Sequence, residues 1–276
     1  MSAASPITRP AAANRGSATG IPIADRRVPN RGGFNVTMLR IELRRVLRNR
    51  RTMFFTLVFP VIFYLMFGLQ GFGSQSAGAH GNIRAYIMIS MAVYGAMLAT
   101  ASGGASVSIE RAAGWSRQLR LTPLSPAVYV MVKMLTAMVL ALGSLLAVYA
   151  IGSLTGAQMD GPYWVITALI AWVGSLVFAA FGLFMGYLLP GENVMQVIGP
   201  GLAVLAFFGG LFVPLTKGSL LEQIAQFTPM YGLNQLVHAP LTGEAVQLVW
   251  LANLVAWLVI FAGGAMWRFR ADTARV

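Results

Sequence analysis

The 276-residue chain contains no cysteine. Disulfides, iron–sulfur clusters, zinc thiolates and thiol catalysis are therefore excluded. Charge is also scarce, with 10% of residues being Asp, Glu, Lys or Arg against about 25% in an average soluble domain. The acids number eight: Asp25, Glu42, Glu110, Asp160, Glu192, Glu222, Glu244 and Asp272. None lies in the middle of an apolar run, where a proton relay would need one, so a proton-coupled carrier is disfavoured. No Gly-x-x-x-x-Gly-Lys-Ser/Thr stretch occurs, and Lys217-Gly218-Ser219 lacks the upstream glycine spacing. The chain cannot cradle ATP phosphates by that device, so it is not read as an ATPase. No His-Glu-x-x-His occurs either. The two histidines, His80 and His238, fall between apolar runs and are expected to be solvated or interfacial rather than metal ligands. Ser102, Ser106 and Ser108 have no histidine at matching depth, so their hydroxyls are expected to bond within or between helices. Nothing resembles a selectivity filter.

What is abundant is apolar sequence: 57% of residues are hydrophobic and the mean hydropathy is +0.69. The expected class is an all-α polytopic membrane protein. A membrane helix needs about 20 mostly apolar residues, and six runs qualify: 53–69, 84–108, 127–153, 163–189, 194–215 and 245–267. Pro60 inside the first is tolerable where a neighbour satisfies the freed carbonyl. The small-residue steps Ala92–Ala96, Ala99–Gly103 and Gly182–Gly186 mark expected close helix contacts.

The net charge of +12 is distributed as a topology signal rather than as a nucleic-acid footprint. Seventeen Lys and Arg lie before the first run, between runs two and three, and after run six, whereas the other side carries Arg84 and Lys217. By the positive-inside rule both termini and the segment 109–126 are expected in the cytoplasm. Residues 1–33, rich in Ala, Pro, Gly, Asn and Arg, read as a disordered basic tail without the apolar core of a signal peptide. Residues 34–52 read as a basic amphipathic helix. Val36, Leu39, Leu43, Val46 and Leu47 recur at helical steps, with Arg40, Arg44, Arg45 and Arg48 on the other faces. Such a helix suits the headgroup layer, as an anchor, as an elbow that moves with a partner, or as both. Residues 216–244 form a longer outer segment with a helical piece around Leu220, Leu221, Ile224 and Ala225, and 268–276 a short cytoplasmic tail.

The segment 109–125, IERAAGWSRQLRLTPLS, is too polar for hydrocarbon and links runs two and three at the membrane surface. Glu110 opens it, where an acid at a helix N-terminus is favourable. Arg111, Arg117 and Arg120 can pair with acids on a soluble partner or with lipid phosphates. Trp115 suits the interface, Leu119 and Leu121 can fill a cleft, and Pro123 stops the helix. A plain positive-inside loop with an interfacial Trp is the simpler alternative.

This wording, Glu110-Arg111-x-x-Gly114-Trp115-x-Arg117-Gln118-Leu119-Arg120-Leu121-Thr122-Pro123, resembles the cytoplasmic coupling segment of ABC-2 type permeases. Phe207-Phe208-Gly209-Gly210-Leu211-Phe212-Val213-Pro214 is similar to the family's close of span five, and Phe227-Thr228-Pro229-Met230-Tyr231 to the segment before span six. The Gly-Trp-x-Arg-Gln-Leu wording looks like that of bacterial drug- and antibiotic-exporting members.

The resemblance implies a six-span permease of an exporter in the bacterial cytoplasmic membrane. A separate ATPase subunit would carry ATP and Mg, a second permease would be identical or paralogous, and no cofactor would sit in this chain. It implies coupling through Glu110, Arg111, Gly114, Trp115, Arg117, Gln118, Leu119, Arg120, Thr122 and Pro123. It places a solute cavity beside Met91, Tyr94, Met97 and Leu98 of span two and Phe207, Phe208, Leu211 and Phe212 of span five, residues that could equally serve packing alone. A hydrophobic or amphiphilic small molecule is the expected cargo. Lipid or glycolipid export, or a non-transporting scaffold or sensor, are the alternatives.

Overall fold

The computed structural model describes residues 36–71, 73–114, 126–191 and 193–273. The basic tail 1–33 lies outside these residues, as do Trp115, Arg117, Gln118, Leu119, Arg120, Thr122 and Pro123. Among the described residues every regular element is a helix. Two isolated bridges, Ser76 to Asn82 and Gly81 to Met159, tie loops together. In chain order the helices are α1 (Val36–Leu47), α2 (Arg50–Gly68), α3 (Ile83–Ala112), α4 (Pro126–Leu154), α5 (Gly161–Gly174), α6 (Leu176–Leu188), α7 (Val194–Phe208), α8 (Leu220–Ala225), α9 (Pro229–Thr242) and α10 (Leu248–Thr273).

Among the described residues five helices are long and apolar enough to cross a membrane: Arg50–Gly68, Ile83–Ala112, Val128–Leu154, Gly161–Leu188 (α5 and α6, joined at Ser175) and Leu248–Arg268. The run expected as span five does not continue as one helix to residue 215. α7 has 15 residues and measures about 22 Å at 1.5 Å per residue, short of a hydrocarbon core of about 30 Å. Its end is a Schellman stop: Gly210 sits at φ +80°, its N–H reaches the Phe207 carbonyl, and the Leu211 N–H reaches the Ala206 carbonyl. These are the two bonds by which a left-handed residue closes a helix.

The first crossing shows how a proline is accommodated. Pro60 has no N–H, and its ring displaces the carbonyl four residues back, that of Thr56. The helix widens into a π-turn over Phe54–Val58, and Ser144 Oγ of α4 donates to the freed Thr56 carbonyl. Gly95 of α3 lies against both Pro60 and Ser144.

α3 is the axis of the bundle. Most of its 30 residues are buried, and α2, α4, α5, α6 and α7 all pack around it. Its closest neighbour on one side is α6, where Gly182 and Gly186 lie against Ala101 and Ala105. On the other side Gly103 faces Ala137 of α4, and Ala96 and Ala99 pack with Leu140 and Ala141. These small-residue contacts are the ones expected from the sequence steps. α10 closes the outside of the bundle through Phe261, which stacks among Phe181, Phe184 and Trp257.

The end of the bundle opposite α1 is knotted by polar groups. Asn82 caps α3 by accepting from Ala85 N–H (2.9 Å), also accepts from Gln158 N–H (3.0 Å), and donates to the Gly156 carbonyl (2.9 Å). Arg84 donates to the Gly68 and Thr155 carbonyls, both at 3.0 Å, placing a cation at the C-termini of α2 and α4, where it is favoured. The Thr228-Pro229 motif is likewise a helix start. Thr228 Oγ1 accepts from Tyr231 N–H and Pro229 occupies the first turn of α9, the positions both residues prefer.

A Cβ built on Gly182 would lie 2.0 Å from the Ala101 carbonyl oxygen, whereas one on Gly143 meets nothing within 4 Å. Backbone cannot rotate away as a side chain can. Gly182→Ala is therefore expected to destabilise the purified protein by about 1–3 kcal/mol. Gly143→Ala, in mid-helix, should be neutral or stabilising by up to about 1 kcal/mol. Thermal unfolding of the two variants side by side measures the contrast.

Candidate functional site: an ionic junction and an apolar cavity

α1 presents Met38, Leu39, Glu42, Leu43 and Val46 as its half-buried face, while Val36 and Leu47 point away from the bundle. Leu39, Leu43 and Val46 of the expected apolar face are on it, whereas Met38 and Glu42 take the places expected of Val36 and Leu47. Asn49 then breaks the chain and caps α2, its Oδ1 accepting from Thr52 N–H at 3.2 Å. α1 therefore ends at Leu47, and α2 begins at Arg50.

Glu42 meets Lys133 of α4, which is 4% exposed. Lys133 Nζ also donates to Glu110 Oε1 at 2.5 Å. Arg45 of α1 reaches the same oxygen at 2.6 Å, and the Tyr129 hydroxyl donates to the other oxygen of Glu110. Two carboxylates and two cations thus join α1, the end of α3 and the start of α4. Lys133 and Glu110 are buried, and Arg45 is mostly exposed. For Arg45, partial burial opposes its charge, but the Glu110 hydrogen bond and charge outweigh it and raise its pKa. A cleft of 240 Å3 opens beside the junction, lined by Asn49, Thr52, Ser102 and Ser106 together with apolar residues such as Val46, Leu140 and Met195.

Glu110 does not stand at a helix N-terminus, as the sequence reading expected. α3 continues to Ala112, so Glu110 lies in its last turn, where the helix dipole disfavours a carboxylate. Lys133, Arg45 and Tyr129 supply the compensation. Arg111 places its guanidinium over the Tyr187 ring, 5.3 Å from the centroid. Gly114 ends the helix: its φ is +76°, its N–H bonds to the Arg111 carbonyl, and the Ala113 N–H bonds to the Ile109 carbonyl. A Cβ there would meet no atom within 4 Å, so the dihedral angle alone calls for glycine, at about 1–2 kcal/mol for any other L-residue.

At the opposite half lies an apolar cavity of 360 Å3 between the end of α2, the first turns of α3 and the residues after α7. Met91, Leu211 and Phe212 line it, and Tyr94 touches Phe212 edge-on at 5.0 Å. Met97 and Leu98 are buried deeper along α3. Phe207 and Phe208 pack edge-to-face on each other and stand exposed on α7, away from this cavity. The eight residues named from sequence are therefore not one cluster in a single chain.

Sequence reasoning missed two features. The first is Lys133, a single cation in an otherwise apolar helix, which needs an acid partner; Glu42 and Glu110 were the available ones. The second is His238, which is 4% exposed rather than solvated. His80 is only partly buried, and its Nδ1 lies 2.9 Å from Asp160 Oδ2. Among the described residues no group of acids and histidines is arranged to hold a metal ion.

A bundle of apolar helices around α3, several of them long enough to span, is the frame of a multi-pass membrane protein. The profile of the ABC-2 type transporter family matches residues 35–241, from the start of α1 into α9. The chain belongs to the ABC-2 type transporter family. It is also similar to a Bacillus subtilis (strain 168) protein named "Putative transport permease YvfS", with 24% identity over 223 residues, 80% of this chain and 90% of the relative. The chain is therefore a multi-pass membrane protein and an ABC transporter permease. Family membership implies partnership with an ABC ATPase subunit.

Removing one member of a buried ion pair strands the other, at about 3–5 kcal/mol, whereas replacing the set together is far milder. Lys133→Met should destabilise the permease by that amount. Adding Glu42→Gln and Glu110→Gln should restore most of the loss, because Arg45 can turn to water. Thermal unfolding of the single and triple variants decides it, and a triple variant less stable than the single one would contradict the junction.

Proposed function

We propose that this permease is the membrane subunit of a bacterial exporter in the cytoplasmic membrane, moving a hydrophobic or amphiphilic small molecule outward. Two permeases, identical or paralogous, pair with two ATPase subunits that bind ATP and Mg. The Lys and Arg asymmetry supports α1, the 109–125 segment and both termini on the cytoplasmic side. That arrangement requires an even number of crossings, and α7 with residues 211–215 completes the sixth.

The observation that carries this reading is the ionic junction. Coupling requires that a push from a soluble subunit reach the helices around a solute without being lost in a loose loop. The Arg45–Glu110 and Lys133–Glu42 pairs bind α1 to both helices that flank the 109–125 segment. A displacement of that segment or of α1 is then a displacement of α3, the axis around which the other helices pack. ATP binding closes the ATPase pair, α3 shifts, and the solute path turns from cytoplasm-facing to outward-facing. Met91, Tyr94, Leu211 and Phe212 provide the polarizable, adaptable lining that suits varied apolar solutes. Phe207 and Phe208, exposed on α7, face the second permease across the path.

Arg117→Glu or Leu119→Asp should abolish efflux and solute-stimulated ATPase activity while leaving expression of the permease and its assembly with a second permease intact. Co-purification from the native membrane should return an ATPase chain at one copy per permease. Normal efflux in a well-expressed variant would remove the coupling role, and a complex with no ATPase would favour a non-transporting scaffold.

A further inference from the structure

The wall of the 360 Å3 cavity includes Ser90 and Tyr86, and none of its lining residues is charged. Its size falls at the small end of the range of small-molecule sites, about 300–1,000 Å3. A charged group entering it would lose its hydration without a counter-ion, so the occupant is neutral where it touches this wall. Phe67, Met91 and Phe212 offer an apolar, polarizable surface.

The polar part of the wall has a fixed sense. His238 of α9 lies behind Ser90, its ring stacked on Tyr86 at 3.9 Å between centroids. His238 Nδ1 is 2.9 Å from the Asn234 carbonyl, which can only accept, so Nδ1 carries the proton. Burial disfavours the charged ring more than the Asn234 and Tyr86 carbonyls would favour it, and pushes the imidazole down to about 4, leaving it neutral at physiological pH. Nε2 therefore holds a lone pair, and Ser90 Oγ, 3.2 Å away, donates to it. The Tyr86 carbonyl, 3.3 Å from Nε2, is an acceptor and makes no bond in this tautomer. Ser90 has thus given away its one proton, and its oxygen can only accept. The arrangement is held from one face of α9. Asn234, one turn before His238, donates to the Gly210 carbonyl at 3.1 Å, fixing the chain that carries Leu211 and Phe212.

We propose that this cavity is a solute-binding site that selects neutral, largely aromatic or apolar molecules carrying a hydrogen-bond donor, such as a hydroxyl or an amide N–H, and that Ser90 is the residue that reads the donor. The proposal extends the permease reading by naming the chemistry of the solute, and its test does not depend on transport.

Two probes of nearly equal shape make the test: 2-naphthol, which has a donor, and 2-methoxynaphthalene, which has none. Saturable binding of each is measured by equilibrium dialysis on the full-length permease in phospholipid nanodiscs, without ATP or ATPase, with empty nanodiscs as the blank. The wild type should bind the naphthol about tenfold more tightly than the ether, as one well-placed hydrogen bond allows. Ser90→Ala should bring the ratio close to one without weakening the ether, and Ser90→Thr should restore it. An unchanged ratio in Ser90→Ala, an equal loss for both probes, or no saturable binding because lipid chains fill the cavity would each overturn the proposal. Absence of naphthol export by the complete complex, with the binding ratio as expected, would instead count against the transport reading alone.

Discussion

Everything at the charged end of this permease depends on one buried lysine. A cation in the first turns of an apolar helix cannot be left unpaired, and α4 supplies no acid of its own within reach. Lys133 therefore recruits Glu42 from the helix before the first crossing and Glu110 from the last turn of the second. Glu110 has a matching need, since it stands where the α3 dipole is unfavourable to it. The two requirements are met by the same contact. Arg45 and Tyr129 complete the set, and α1 is drawn onto the bundle with a contact face that includes a carboxylate among its leucines. An all-apolar contact of the same size would let α1 slide or roll, whereas a network of four charges has one arrangement.

The other end is organised by a different constraint, the need to satisfy helix ends. Arg84 serves two C-termini and Asn82 one N-terminus together with a neighbouring loop. Arg84 is thus part of the structure rather than a stray charge against the positive-inside pattern. Between the two ends the packing is set by backbone approach. Gly182 and Gly186 allow α6 to touch α3, and Pro60 is tolerated because Ser144 takes over the carbonyl it frees. Interhelical order in an apolar solvent rests on such close contacts and on a few hydrogen bonds, and this bundle uses both.

Much of this was legible in the sequence, for reasons that are physical. Apolar runs of sufficient length located five crossings, because only helices satisfy their backbone within hydrocarbon. The small-residue steps on α3 and α6 marked real contacts, and the part of 109–125 that is described is the end of α3, closed at Gly114 by a left-handed turn. What was not legible depended on pairing across long separations. Glu42 and Lys133 are 91 residues apart, and periodicity within α1 points to leucines, not to the acid between them. The run 194–215 looked continuous because hydropathy does not register a left-handed glycine. His238 looked like a loop residue because the helix that carries it lies in a moderately polar segment, yet its packing onto Tyr86 buries it.

The central claim is that α1, the end of α3 and the start of α4 move as one body. The chain has no cysteine of its own, so spin labels can be placed cleanly at Ile41→Cys and Ile109→Cys, both exposed, in the assembled complex with its ATPase. Pulsed electron resonance then reports the distance between them with and without a non-hydrolysable ATP analogue. The account predicts that the distance within one permease stays constant while the Ile109-to-Ile109 distance between the two permeases changes. A nucleotide-dependent change within one permease would mean that the junction opens, and the ionic contact would then be a hinge instead of a lock.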